Sequence, residues 1–438
     1  MAESGAGGVG GRRPEPEFGD PAAARAAALN FDLKRVDRAF LANPYPTYRA
    51  LREHDPVHRM PDGSYFLTRY EDCVAVYHDA AGWSSDKKLD FRPNFGDSLL
   101  FEHHTTSLVF NDAPYHTRVR KLLAPAFTPR ALKALQPRIE TLVDRLLDEA
   151  AGREPFDLID DFAAAIPVRL IGDMLGIPEA ERSPLRGWSL AILGALEPVL
   201  SPAQRERGVR AVADFKAYLA DLVRRPPSRR HQGAGEILSI LVEASAVTAR
   251  ERGGPGATSG IEHLSEAELL HNCIFLLNAG HETTTNLIGN GIDLLVRHPQ
   301  AAQRLRAEPA LIETAVEEFL RLESSNQLGN RRAARDIALA GVPMPAGTYV
   351  HLAIGAANRD PAQFPDPERL DIARSPNRHL AFATGIHACA GMSLARMEAQ
   401  VAIGKLVARF RSIEPAGEPV RGGRIRFRGF LHYPLRLS

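Results

Sequence analysis

The chain has 438 residues, 44% of them apolar and 24% charged, and its 54 Lys and Arg against 53 Asp and Glu leave a net charge of +1. That is the make-up of an ordinary soluble globular protein, and it excludes a dedicated nucleic-acid binder, which needs a strongly basic face or tail. No apolar run approaches the length of a membrane span and Met1–Arg13 lacks a signal-peptide core, so a cytoplasmic protein with no membrane partner is expected.

Length alone suggests about three domains, but the chain offers few places to cut. Residues 1–30 are rich in Gly and Ala and are expected to form a mobile tail, leaving one domain over 31–438. Arg12-Arg13 is followed by Pro-Glu-Pro-Glu and reads as solvated charge. Gly7–Gly11 follows no strand and is no phosphate loop. Val57–Met60 and Ser64–Arg69 flank Pro61-Asp62-Gly63, which predicts a hairpin. Helical periodicity then covers Glu71–Tyr77, His116–Ala126, Leu132–Glu149, Ala163–Leu175 and Ala203–Arg224. Gly253–Gly260 reads as a loop.

The longest helix comes next. Ser265 with Glu268 forms a capping box, and the apolar pattern runs to His298-Pro299. That is about 50 Å of helix, enough to cross the molecule. Its centre, Asn278–Asn286, holds small, polar and β-branched residues where a core helix should be apolar. Such local inconsistency marks functional sites. Strands are expected at Ile337–Leu339 and Tyr349–Leu352, an irregular Pro-rich meander over Asn358–Asn377, and a final helix over Ala390–Arg411.

Cys73, Cys273 and Cys389 stand far apart, which argues against disulfides or a zinc ribbon. A cysteine that carries chemistry must do so alone. Cys73 and Cys273 read as small buried hydrophobes. Cys389 sits on the Gly-punctuated loop Phe382–Gly391, just before a helix, where the dipole and free N–H groups are expected to lower a thiol pKa.

Phe382-Ala383-Thr384-Gly385-Ile386-His387-Ala388-Cys389-Ala390-Gly391 resembles the haem-binding signature Phe-x-x-Gly-x-His-x-Cys-x-Gly of the cytochrome P-450 family. Glu318-Phe319-Leu320-Arg321 is similar to its Glu-x-x-Arg, Ala279–Thr284 to its oxygen-activating helix motif, and His116 with Arg120 to its first haem-contacting helix. The motifs keep the family's order, and the resemblance covers the chain from Pro44 onward. It implies a mainly α fold with small β-sheets, a triangular prism with haem between the long helix and the Cys389 loop. It also implies a haem-thiolate monooxygenase that uses O2 to oxidise a small, largely apolar substrate.

By that resemblance Cys389 ligates the iron of haem b, a thiolate that favours O–O cleavage, with Phe382 shielding the sulfur. Ala279, Gly280 and Gly391 line the haem, and His116, Arg120, Arg331 and His387 hold its propionates. Glu282 and Thr283 form the acid–alcohol pair that relays protons, and His281 points away from iron. Glu318 and Arg321 make a buried structural pair with Arg369 as third member. Phe275 and Asn278, with the segments 90–110 and 188–202, line the substrate pocket. Asn326 and Gln327 either bond a polar group on the substrate or satisfy local backbone groups. Ala383 and Leu370 stand where the family has Gly and Phe.

No flavin or dinucleotide motif is present, so the resemblance implies electrons from NAD(P)H through a ferredoxin-type partner and its reductase. Arg118, Lys121 and Arg396 are basic candidates for docking, and a monomer is expected. Two other readings stay open. A peroxide-using or coupling variant is one, with the intact Glu282-Thr283 pair against peroxide use; a haem sensor or carrier, which needs no proton relay, is the other.

Overall fold

A computed structural model of the chain describes residues 20–153, 155–226, 236–243 and 264–438. The expected loop at 253–260 and the glycine run at 7–11 lie outside these. The mobile tail is corrected at its far end. Asp20 caps a helix over Pro21–Leu29 by accepting from the Ala23 N–H at 2.7 Å, and Ala28 is fully buried. Pro at the first helical position suits it, because that N–H has no intrahelical partner.

The long helix spans Glu266–Arg297. Ser265 Oγ accepts from the Glu268 N–H at 3.2 Å and Glu268 Oε2 from the Ser265 N–H at 2.8 Å, so two orphan donors are satisfied reciprocally. Around it pack the helices Ala165–Met174, Leu185–Gly194, Pro202–Arg224, Ile312–Leu322 and Met392–Arg409. The final helix is thus shorter than expected at both ends. One hydrophobic core joins these elements, running from Phe95 through Phe162, Leu277 and Ile403 to Leu435.

The predicted hairpin is Val57–Arg59 against Tyr65–Leu67, antiparallel, with Val57 opposite Leu67. It belongs to a five-stranded sheet whose order continues through Tyr349–Ala353 and Leu328–Ala333 to Trp83–Ser84. Period-two alternation splits the inner pair of strands into two faces. Val350 and Leu352 join a satellite core with Tyr77, while Tyr349 and His351 point to the other side, opposite Arg332 and Asn330.

On the final helix Glu398 is 2% exposed and has a carboxylate oxygen without a partner. Burial pushes its pKa up to about 8. Below about pH 4.3 the acid is protonated in both folded and unfolded chains and contributes nothing. Between there and pH 8 only the unfolded chain ionises, so stability falls as pH rises. Glu398→Gln should remove this slope and stabilise the protein by up to about 3–4 kcal/mol at neutral pH. Denaturant melts of both proteins at pH 5 and pH 8 check it; equal slopes refute it.

Candidate active site

The cysteine loop is closed by its own backbone. Leu380 N–H donates to Asn358 Oδ1 at 2.7 Å, and Cys389 N–H donates to the Phe382 carbonyl at 2.9 Å. Gly385 takes φ +73°, and a Cβ there would lie 2.3 Å from the Tyr77 carbonyl oxygen, so the helix over Tyr70–His78 can press against the loop only because residue 385 is glycine. Ala383 also has positive φ, +53°. Alanine there carries left-handed strain of about 1 kcal/mol that glycine would escape.

Cys389 is half-buried three residues before its helix. The expected lowering of its pKa is corrected: burial pushes the thiol up, opposed by a hydrogen bond from the Gly391 backbone and by the charges of Arg120 and Arg396. Desolvation outweighs the helix end, so a thiolate here calls for a stronger positive charge at the sulfur, such as a metal ion brings.

Beside this loop lies a gap lined with unanswered polar groups. The rings of His116 and His387 are 4.0 Å apart, and Nε2 of each is buried without a hydrogen-bond partner. Burial first, then neighbouring positive charge, depresses both imidazoles, His387 to about 2. Arg331 donates to the Asn330 carbonyl at 2.7 Å and lies over the Tyr77 ring at 5.1 Å. Neither Arg331 nor Arg120 has an ion pair among the described residues. Buried donors of this kind, with half-buried cations beside them, favour an anion.

The long helix offers the gap one face. Phe275, Leu276, Ala279, Gly280 and Thr283 escape full burial while their neighbours Leu277, Asn278, His281 and Glu282 do not. Their spacing of three and four puts them on one stripe. A Cβ on Gly280 would meet Ile171 Cδ1 at 2.3 Å, so glycine here also admits the helix Ala165–Met174. Thr283 Oγ1 donates back to the Ala279 carbonyl at 2.6 Å. Glu282 turns the other way: Arg424 Nη1 donates to its Oε1 at 2.5 Å, and Oε2 is buried without a partner. Burial raises the Glu282 pKa and Arg424 opposes the rise. A cavity of about 20 Å³, lined by Glu282, Arg424, Arg186 and Asn286, lies behind it. That is room for a single water. His281 borders the same cavity, away from the stripe.

Glu318 and Arg321 are completely buried, and Arg321 Nε and Nη2 donate to the two Glu318 oxygens at 2.8 Å. The expected third member is corrected. Arg369 has a side chain 69% exposed and offers Arg321 only its carbonyl, at 3.2 Å. Arg374 takes the place, donating from Nε to Glu318 at 3.1 and 3.2 Å, and Asn377 Nδ2 adds a bond at 3.0 Å. Asn358 links this network to the loop: its carbonyl accepts from Arg321, and its Oδ1 holds Leu380.

Residues 193–422 match the cytochrome P-450 family model. The biotin biosynthesis cytochrome P-450 of Bacillus subtilis is 36% identical over 86% of this chain and 91% of its own length. The chain belongs to the cytochrome P-450 family. The vitamin D(3) 25-hydroxylase of Pseudonocardia autotrophica is 38% identical over 84% of this chain and 87% of its own length. A myxobacterial cytochrome P-450 solved with myristic acid superimposes with a TM-score of 0.79 at 34% identity, over 91% of this chain and 97% of that one. This P-450 is accordingly a haem-thiolate monooxygenase that inserts oxygen from O2 into a small organic substrate with electrons from a redox partner.

These residues suit haem, with a half-buried sulfur that wants a metal and, beside it, unpartnered imidazoles and arginines that want two carboxylates. In this P-450 Asn326 and Gln327 serve their own turn. Gln327 Nε2 donates to the Ser324 carbonyl at 2.7 Å and its amide packs on Gly355, while Asn326 Oδ1 meets the Leu328 N–H at 3.4 Å. Asn278 is buried with both amide atoms unpartnered, off the open stripe. Phe275 lies on the stripe. Of the basic candidates, Arg118 pairs with Glu268 and Arg396 with Glu317 at 2.7 Å, and Lys121 stays exposed. Sequence reasoning missed Arg374 and Arg424, whose partners lie 56 and 142 residues away with no local pattern to announce them.

Proposed function

We propose that Cys389 is the iron ligand and that one catalytic domain, residues 31–438, forms the whole site. The observation that carries this is the unpartnered Nε2 pair of His116 and His387, flanked by Arg120 and Arg331 beside the cysteine. Those four side chains would hold the two propionates. Bound haem supplies O2 binding and O–O cleavage, which thiolate ligation favours. The Gly391 N–H holds charge on the sulfur, Phe382 shields it, and Ala279 with Gly280 leaves room above the ring. Hydroxylation consumes two protons with its two electrons and releases one oxygen atom as water. Glu282 takes protons from the small cavity at Oε2 and hands them by way of water to Thr283 Oγ1, whose hydroxyl faces the chamber. Electrons come from NAD(P)H through a ferredoxin-type protein and its reductase, which dock on the cysteine side near Lys121. The substrate is small and largely apolar, and the enzyme acts as a cytoplasmic monomer. No helix of the described residues is long and apolar enough to cross a membrane.

The relay is tested by Thr283→Ala and Glu282→Gln in the haem-loaded enzyme. Each should lower product formation by about 10²-fold while haem content and the CO-bound spectrum stay as in the wild type. Unchanged product formation in both variants overturns the relay.

A further inference from the structure

The long helix carries a second polar spot, on the side away from its open stripe. His281 is 1% exposed, and neither of its ring nitrogens has a hydrogen-bond partner among the described residues. Glu282 Oε2 is orphaned as well, because Arg424 holds only Oε1. Both side chains border the cavity of about 20 Å³, whose wall also includes Arg186, Thr285 and Asn286. Burial, then the charge of Arg186, depresses the His281 imidazole to about 3, so the ring is neutral. A neutral ring gives one hydrogen bond and accepts another. Three buried polar atoms left unanswered would cost about 1–3 kcal/mol each, a penalty that leucine at position 281 would escape. A void of one-water size bounded by such atoms holds a water, whereas an apolar void stays dry.

Arg186 connects this cavity to solvent. It is half-buried on the helix Leu185–Gly194, and its Nη2 lies 2.6 Å from Oδ1 of the exposed Asp160. The other Asp160 oxygen lies 3.4 Å from Nδ1 of His432, which is exposed too. Direct contacts therefore run from the surface to Arg186, and Arg186 and Glu282 share the cavity wall.

We infer that His281 is a positioning residue of the proton inlet, fixing one water against Glu282 Oε2, and that this water exchanges with solvent at the Arg186–Asp160 pair. The inference rests on the Glu282–Thr283 relay and names the groups that supply it. When the Glu282 carboxyl gives its proton toward Thr283, the carboxylate left behind takes another through the water. That water receives a proton from solvent at the same time, so no charge builds up in the cavity. His281 transfers nothing. It holds the water in line.

The wild-type enzyme, crystallised with haem, should show one ordered water within hydrogen-bond distance of both His281 and Glu282 Oε2. A structure without that water overturns the inference. The kinetic test needs no identified substrate: the haem-loaded enzyme, a plant-type ferredoxin, its reductase and NADPH are followed by NADPH oxidation in H2O and D2O. His281→Phe, which lacks both nitrogens, should run about tenfold more slowly, with a D2O effect about twofold larger, because proton supply then limits the rate. His281→Gln keeps a donor and an acceptor and should recover to within about threefold of the wild type. A wild-type rate and D2O effect in His281→Phe overturn the inference. So does an equal slowing in both variants with an unchanged D2O effect, which marks a purely structural residue. Should His281→Phe fail to fold, Arg186→Met decides together with the crystallographic water: its D2O effect should rise, and a wild-type value overturns the inlet. Glu282→Gln keeps the two claims apart. If it is slow while His281→Phe is not, the inlet falls alone; if it is unchanged, the relay falls as well.

Discussion

Cys389→Ala should yield a folded protein whose reduced, CO-bound form lacks the strongly red-shifted Soret band of thiolate ligation and whose product formation falls below detection. The expectation follows from the uniqueness of the sulfur. Cys73 and Cys273 are fully buried, and burial pushes both thiols up to about 12 or beyond, which keeps them inert. No second thiol can substitute. Removing Sγ takes away the thiolate that would hold the iron, and with it the charge that favours O–O cleavage. Folding should survive, because Cys389 is half-buried and its backbone N–H, which closes the loop, is kept. Cys389→Ser, with an oxygen in place of sulfur, should retain some haem with a Soret band at ordinary wavelength. A red-shifted band persisting in Cys389→Ala refutes the assignment.

Glu318→Ala should be the most destabilising single change in the molecule. Its carboxylate accepts from Arg321, Arg374, Asn377 and the Asp371 N–H, all away from solvent. Without it, Arg321, itself completely buried, keeps only carbonyl partners. Leaving a buried charge unpaired costs about 3–5 kcal/mol, a large share of the stability of a typical domain. Most of the expressed protein should therefore fail to accumulate with haem. Arg369→Ala is the control. Its exposed side chain makes one loose pair, so stability should move by less than about 0.5 kcal/mol. Thermal melts and haem-to-protein ratios measure both, and the same loss in both variants would mean that Arg369 does more than its exposure allows.

The contrast between Arg369 and Arg374 shows where legibility in the sequence ends. Glu318 and Arg321 lie on one helical turn, so the pair could be read from spacing. Their third partner is fixed by how the meander folds back, and a Pro-Glu-Arg-Leu pattern pointed five residues too early. The long helix was legible at both ends because its signals are local: a capping box at Ser265 and Pro299 after the last turn. The helix over Pro21–Leu29 carries similar signals in Asp20 and Pro21, but its Ala-rich composition resembles that of a mobile tail. Composition reports little about a nine-residue helix that gains its stability by docking. The helices Lys88–Phe95 and Leu99–Thr106 also escaped notice, the first because Pro93 sits inside it. The motif residues of the site are readable, and the arginine that answers Glu282 from another segment is not. Arg424 and Arg426 belong to no recurrent pattern, and only the folded chain brings them to their neighbours.

Arg424 and Arg426 are two residues apart on one loop, and each is anchored to a different wall. The first holds the carboxylate behind the long helix, and the second ties to the carbonyls of Leu196 and Leu328. Two residues of chain span at most about 7 Å, so neither guanidinium can move far without dragging the other. The two anchors are therefore coupled through the loop that carries both. Changes at the two positions should not add as independent effects would.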